Sequence, residues 1–299
     1  MSIPSVDVVV VGSINLDISV PVPHLPEPGE TVLGGDALWS PGGKGANQAV
    51  ALARLGRQVA MIGCVGNDPA GEQQRSHLAS QGVDCTGIVA LPDVPTGLAT
   101  ISVADSSGEN SIVVSPGANA RVDAELVRDL LVPARALLVQ FEVPADAVAA
   151  AIEGYHGLVV VNPAPARLLD DAVLGAVDVL VPNRGELALL AGASAEAVTT
   201  DELADQARSL GVGAVVITLG GEGALIVATE VTAVPIVPVA AIDTTAAGDS
   251  FCGGLVDALL DGVDLVAAAV WASRVAAVTV TRRGAQASLP SRAEVEALS

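Results

Sequence analysis

The stretch ALLVQFEVPADAVAAAIEGYHGLVVVNP, residues 136–163, decides how the fold is read. Its outer runs, ALLVQF (136–141) and LVVVNP (158–163), are short and almost wholly apolar, as strands buried on both faces are. ADAVAAAIEG between them is rich in alanine and long enough for a helix. The whole therefore reads as a strand–helix–strand unit. The same rhythm continues through DDAVLGAV, DVLVPN (178–183), RGELALLAG and AVVITLG (214–220). Toward the N-terminus, VDVVVVG (6–12) reads as a strand stopped by Gly12, GANQAVALARLG (45–56) as a helix ended by Gly56, and QVAMIGCVG as the next strand. Alternation of this kind predicts a mainly parallel sheet covered by helices, with ligand sites at the carboxyl ends of the strands.

Two stretches break the rhythm. Residues 16–40 alternate without helical period and are rich in proline, and residues 97–114 read as a hairpin turning at SSGEN. They predict a small β layer, a lid over the site, inserted into a main α/β domain made of 1–15, 41–96 and 115–299. Hydrophobic residues are 51% of the 299 and aromatics only 2%, so the core is Val, Ala, Leu and Ile. Trp39, beside the loop after the first inserted stretch, is expected to be buried in the lid.

Charge and motifs exclude several functions. A net charge of −20 offers no basic face for nucleic acid. Three cysteines, Cys64, Cys85 and Cys252, have no metal-type spacing, which suits reduced thiols in a cytoplasmic protein. The N-terminus lacks the basic start of a signal peptide, and no long uncharged apolar run suggests a membrane span. A Walker-type G-x-x-x-x-G-K-[ST] loop is absent. The single glycine of VVVVGSINLD cannot make a dinucleotide fingerprint, so a dehydrogenase reading fails.

Chemistry concentrates in a few places. SPGGKGANQA (40–49) holds the only lysine of the chain, Lys44, between glycines and ahead of a helix. DTTAAGDSFCGG (243–254) leads small residues into another helix, whose free N–H groups would attract an anion beside Asp249. Asp249 is then either a helix cap or a general base that takes a hydroxyl proton during phosphoryl transfer. In PNRGE (182–186), Asn183 and Glu186 could steer a metal-bound water or form a capping box. ITLGGEGALIV (217–227) is a glycine-rich turn between strands, suited to a nucleotide and equally to ordinary turn chemistry.

Taken in order, GSINLD, PGETV, GGKGANQAVA, NPAPAR, PNRGE, TLGGEG, DTTAAGDSF and TRRGAQASLP resemble the ribokinase family of carbohydrate kinases along most of the chain. GGKGANQA and GAQ-S-P look like its ribose-phosphorylating branch rather than fructokinase or adenosine kinase. The resemblance implies a ribokinase-like three-layer α/β/α fold with a mainly parallel central sheet and a small β-sheet lid that often mediates a homodimer. It implies transfer from ATP, with Mg²⁺, to the 5-hydroxyl of D-ribose, and activation by a monovalent cation, usually K⁺. A kinase for 2-deoxyribose, another small sugar or a nucleoside is the nearest alternative. A non-catalytic sugar or nucleotide sensor is a further one, although Asp249 and its glycines are intact.

Residue by residue, Asp249 matches the family's catalytic base, and the backbone of Ala246, Ala247 and Gly248 matches its anion hole. Asn15, Asp17, Gly43, Lys44, Gly45, Ala46, Asn47 and Glu142 match sugar-contacting positions. Asn183, Glu186, the turn Thr218, Leu219, Gly220, Gly221, Glu222 and Gly223, together with Gly248 and Ser273, match nucleotide-contacting ones. The implied cation ligands are Asp243, Thr245, Thr279, Arg282, Gly284 and Ser288, several through carbonyls. The chain departs from the family at Thr245, where a larger residue is common, and at Arg184, where an acidic residue often follows the asparagine.

Overall fold

Val8, Val9, Val10 and Val11 are all fully buried, so neither face of the strand they form meets water. In the computed structural model, which describes residues 6–105, 109–195 and 199–298, that strand is β1 (Val6–Val11). Beside it lie β4 (Val59–Gly66), β5 (Val83–Leu91), β8 (Ala134–Gln140), β9 (Leu158–Asn162), β10 (Val179–Leu180), β11 (Ala214–Thr218), β12 (Ala224–Val227) and β13 (Val231–Val234). A second group is β2 (Asn15–Val22), β3 (Leu38–Gly42), β6 (Gly97–Ala104) and β7 (Asn110–Ser115). The helices are α1 (Lys44–Arg54), α2 (Pro69–Ser80), α3 (Ala124–Leu130), α4 (Ala145–Ile152), α5 (Asp171–Leu174), α6 (Arg184–Leu190), α7 (Thr200–Ser209), α8 (Ala247–Leu260), α9 (Leu265–Val280) and α10 (Arg292–Glu296).

The large sheet has nine strands in the order β13-β12-β11-β10-β9-β8-β1-β4-β5, parallel except where β11, β12 and β13 pair antiparallel. Alternation of side chains sends every second residue to one of two cores. Val8, Val10, Leu138 and Val160 join α1, α8 and α9 on one face. Val9, Val11, Leu137 and Val161 join α3, α4, α6 and α7 on the other. The strand–helix–strand reading and the three-layer architecture are what the chain adopts. DVLVPN is shorter than its sequence suggests, because Pro182 has no N–H to give the ladder. Pairing resumes beyond it in a single bridge between Asn183 and Thr218.

The inserted stretches supply the second sheet, ordered β3-β2-β6-β7. Pairing within it is mixed, since β2 and β6 run parallel. The centre of the expected SSGEN turn lies outside the described residues, as do the first five residues. Trp39 corrects the sequence reading: it is 61% exposed. It sits on β3, one edge strand of this sheet, with Leu38, and Ile112, Val113 and Val114 on the other edge strand, β7, are exposed too. Among the described residues, no helix is long and apolar enough to cross a membrane.

Helix α8, whose start belongs to the candidate site, is fixed in two ways. Gly253 lets it approach α1 so closely that a Cβ there would stand 2.8 Å from that of Ala51. Near its other end Asp257, fully buried, accepts hydrogen bonds from Arg57 Nε at 2.6 Å, Arg292 Nη2 at 2.5 Å and Trp271 Nε1 at 2.9 Å. Removing the carboxylate takes away the acceptor that Arg57, Arg292 and the Trp271 N–H share, leaving Asp261 as the acidic partner of both arginines. Asp257→Ala is expected to lower the unfolding free energy by about 3–5 kcal/mol, measured as a shift of the urea midpoint at unchanged slope.

Candidate active site

The carboxyl ends of β1 and β8 and the first turns of α1 and α8 meet at one place. Asp249 is the third residue of α8, but its side chain does not cap the helix. The N-cap is Ala246, held in the left-handed region at φ 59°. The Asp249 carboxylate crosses instead to α1, where it accepts from Asn47 Nδ2 at 2.8 Å and Gln48 Nε2 at 3.1 Å. Of the two readings of this aspartate, capping is therefore removed. Burial pushes its pKa up, against the opposing pull of Lys44 and the two amides. In the same turn the Ala247 N–H returns to the Thr244 carbonyl at 3.2 Å. Those of Gly248 and Asp249 have no backbone acceptor among the described residues.

Around this carboxylate stand the other residues matched to sugar contact. Glu142 Oε2 accepts from Ser13 Oγ at 2.5 Å and from the Lys44 N–H at 3.0 Å. The Asn15 Oδ1 accepts from Asn119 Nδ2 at 2.7 Å. Asp17 lies so close to β3 that a Cβ at Gly42 would fall 2.0 Å from its Oδ2, and its Oδ1 is buried without a partner. Gly43 has φ 90° and packs against the backbone of Asn15, a conformation and a space that suit only glycine. The N–H groups of Gly45 and Ala46 reach Ser13 Oγ at 3.3 Å and the Ser13 carbonyl at 2.9 Å, so the glycine loop is tied to the end of β1.

One cation faces several carboxylates here. Burial works against the charge of Lys44, yet Asp249, Glu142 and Glu186 outweigh it and hold its pKa above the ordinary value. Asp17 has no such cation partner. Burial, reinforced by Glu142 and Asp249, raises its pKa from 3.8 to about 7.

On the other side of the α8 start lies a cavity of about 420 Å³. Asn183, Thr218, Gly220, Gly221, Gly223, Gly248 and Ser273 line it, with apolar walls that include Ile236, Val239 and Ala277. Leu219 and Glu222 do not line it. Glu222 turns to Arg184, at 2.7 Å, and so ties the glycine turn to α6. Asn183 and Glu186 form the reciprocal capping box of α6, at 2.9 and 2.8 Å. The capping reading of that pair is the one the side chains adopt, though burial still raises the pKa of Glu186 and it feels Lys44 and Asp249.

Several side chains of the implied cation ligands are already engaged within the protein. Asp243 accepts from the N–H groups of Thr245 at 2.9 Å and Gly284 at 2.8 Å, which brings two loops together. The hydroxyls of Thr279 and Ser288 are committed to the carbonyls of Val275 and Ala285, and the Arg282 guanidinium to Glu294. Carbonyl oxygens and the Asp243 carboxylate are what this segment can offer. Among the described residues, no group of three or more His, Cys, Asp or Glu side chains could hold a metal.

Sequence reading passed over a buried amide chain. Gln140 Nε2 donates to Gln48 Oε1 at 2.6 Å, and Gln48 Nε2 also reaches Asn162 Oδ1 at 3.1 Å. Gln286 Nε2 donates to Asn47 Oδ1 at 3.1 Å. A polar residue ending a run of buried apolar ones, as in ALLVQF and LVVVNP, was the available signal for Gln140 and Asn162.

Residues 6–292 match the description pfkB family carbohydrate kinase. The ribokinase of Haemophilus influenzae is 42% identical over 95% of each chain. The deoxyribokinase of Salmonella typhimurium is 36% identical over 95% of this chain and 96% of its own. The solved structure of Arabidopsis thaliana ribokinase complexed with ribose and ATP superposes with a TM-score of 0.86 at 30% identity, covering 99% of both chains.

The position of Asp17 has a measurable consequence for stability. The folded chain keeps a proton on this carboxyl between about pH 4 and pH 7, where an unfolded chain has released it. The folded state binds more protons there, so stability falls as pH rises through that window. Asp17→Asn is expected to remove this part of the decline. Urea midpoints at pH 5 and pH 8 should show the variant gaining on the wild type as pH rises.

Proposed function

The chain belongs to the pfkB family of carbohydrate kinases, and we propose that it transfers the γ-phosphoryl group of ATP to the 5-hydroxyl of D-ribose. The observation that carries this reading is the place of Asp249. Its carboxylate touches Asn47 on the side matched to sugar contact, and its neighbour Gly248 lines the cavity matched to the nucleotide. Asp249 takes the proton of the 5-hydroxyl as that oxygen attacks phosphorus. Its raised pKa makes it a stronger base than a free aspartate. Free N–H groups at the start of α8 face the charge that develops on the phosphoryl oxygens, and Lys44 adds a compact cation beside them.

Asp17, Asn15, Asn47 and Glu142 offer hydroxyl acceptors and donors on the sugar side, where a wrong hydroxyl pattern leaves a buried polar group unpaired. The lid strands β2 and β3 carry Asn15, Asp17 and Gly42 to this site and exclude water, the competing acceptor. Glu186, the side chain matched to Mg²⁺, together with the nucleotide phosphates would hold that ion. It would neutralise phosphate charge. For K⁺, Asp243 and the carbonyls of Thr245, Thr279, Arg282 and Gly284 are oxygen donors of suitable chemistry, and the ion would stiffen the loop that leads to Asp249. Reduced cysteines fit a cytoplasmic setting, with Cys64, Cys85 and Cys252 all free.

The likeness to a deoxyribokinase favours one second reading, 2-deoxyribose as acceptor. A panel of ribose, 2-deoxyribose, hexoses and nucleosides, assayed for ATP consumption with and without K⁺, separates the two. Ribose is expected to give the highest kcat/KM, and added K⁺ to raise it. Asp249→Asn should keep ATP binding while lowering kcat about 10²–10⁴-fold. Near wild-type turnover in that variant would refute the role of Asp249.

We also propose a homodimer through the lid, supported by its exposed apolar side chains Leu38, Trp39, Ile112, Val113 and Val114. Light scattering should give twice the chain mass, and Val113→Asp should give the monomer. A wild type that is monomeric at micromolar concentration would exclude this assembly.

A further inference from the structure

We infer that Gln286 is a positioning residue for the reacting carboxylate and acts through Asn47. This rests on the reading of Asp249 given above. Gln286 stands in the turn Gln286–Ser288, far from α8 in sequence, and is 2% exposed. Its Nε2 donates to Asn47 Oδ1 at 3.1 Å, and Asn47 Nδ2 donates to Asp249 Oδ2 at 2.8 Å.

An amide side chain has one end that only donates and one that only accepts. With Gln286 donating, the Asn47 oxygen must face it and the Asn47 nitrogen must face Asp249. A flipped Asn47 would set N–H against N–H on one side and oxygen against carboxylate on the other. Asn47 is itself 6% exposed, so water is poorly placed to repair either mismatch. The carboxylate, which only accepts, already calls for the Asn47 nitrogen, and Gln286 reinforces that orientation by holding the Asn47 oxygen. Without it, one of the two donors that aim Asp249 is free to turn toward a bound sugar or away.

The contact also closes a ring. Asp243 Oδ2 accepts from the Gly284 N–H at 2.8 Å, two residues before Gln286. From Asp243 the chain runs directly through residues 244–248 into Asp249. Backbone on one side and three hydrogen bonds on the other therefore join the carboxylate to the loop in front of it. Movement of the 243–249 loop is transmitted to Asn47 as well as to Asp249. Deleting the Gln286 donor opens the ring while leaving the nucleotide cavity, which Gln286 does not line, as it was.

The test is a double-mutant cycle with Gln286→Met, which keeps length and lacks the donor, and Asn47→Ala. Gln286→Met alone should lower kcat about tenfold and leave KM for ATP within twofold. In the Asn47→Ala background, the same change should alter kcat less than twofold, because the residue through which it acts is gone. Equal losses in both backgrounds, or an unchanged kcat in the single variant, would overturn the inference. A wild type inactive on ribose would overturn the proposed function instead. For that case, or if Gln286→Met does not fold, side-chain amide exchange in the wild-type protein decides. Slow exchange of the Gln286 and Asn47 amide protons supports the link, and exchange at the bulk rate refutes it.

Discussion

A buried carboxylate is the constraint on which the rest of the site depends. Asp249 is 6% exposed and would be costly to leave ionised without partners. Asn47 and Gln48 supply two donors from α1, and Lys44, also on α1, supplies a positive charge. All three come from one helix, so α1 and α8 must hold a fixed distance. Gly253 against Ala51 sets that distance at one end of the contact, and the Asp257 cluster with Arg57 and Arg292 secures α8 further along. Structural residues remote from Asp249 are in this sense what holds its carboxylate against α1.

The electrostatics follow from scarcity. A chain with 34 acidic residues and a single lysine places that lysine where Asp249, Glu142 and Glu186 all raise its pKa. Asp17, outside its reach, stays near neutrality in its titration, at about 7. Two carboxylates in one site thus differ in what holds them: Asp249 is gripped by amides, while Asp17 keeps an oxygen without a partner. A buried carboxyl oxygen without a partner is open to a hydroxyl group. Binding sugar would supply what folding leaves unsatisfied.

Much of the architecture was legible from the pattern of apolar runs. ALLVQF, LVVVNP and AVVITLG became parallel strands of one sheet, the first two adjacent and the third beyond β10, because largely apolar stretches have no polar face to turn to water. The inserted stretches were recognisable by prolines and alternation. Trp39 was misplaced because a sequence records hydrophobicity but not whether a second layer covers a given face. DVLVPN came out short for a local reason, the missing N–H of Pro182, that was available to sequence reading.

By itself the sequence determined the α/β layering, the two glycine-rich helix starts and the identities of the groups that could do phosphoryl chemistry. Those follow from short-range rules of periodicity, backbone freedom and charge. It left Asp249 open between cap and base, and Asn183 with Glu186 open between cap and ligand. Only the tertiary structure showed that the Asp249 side chain leaves its own helix for α1, and that Asn183 and Glu186 close the capping box of α6. It alone brought Gln286 to Asn47, 239 positions apart, and Gln140 to Gln48, 92 apart. Hydrogen bonds over such separations depend on how whole helices and strands pack, and no local pattern of residues encodes that.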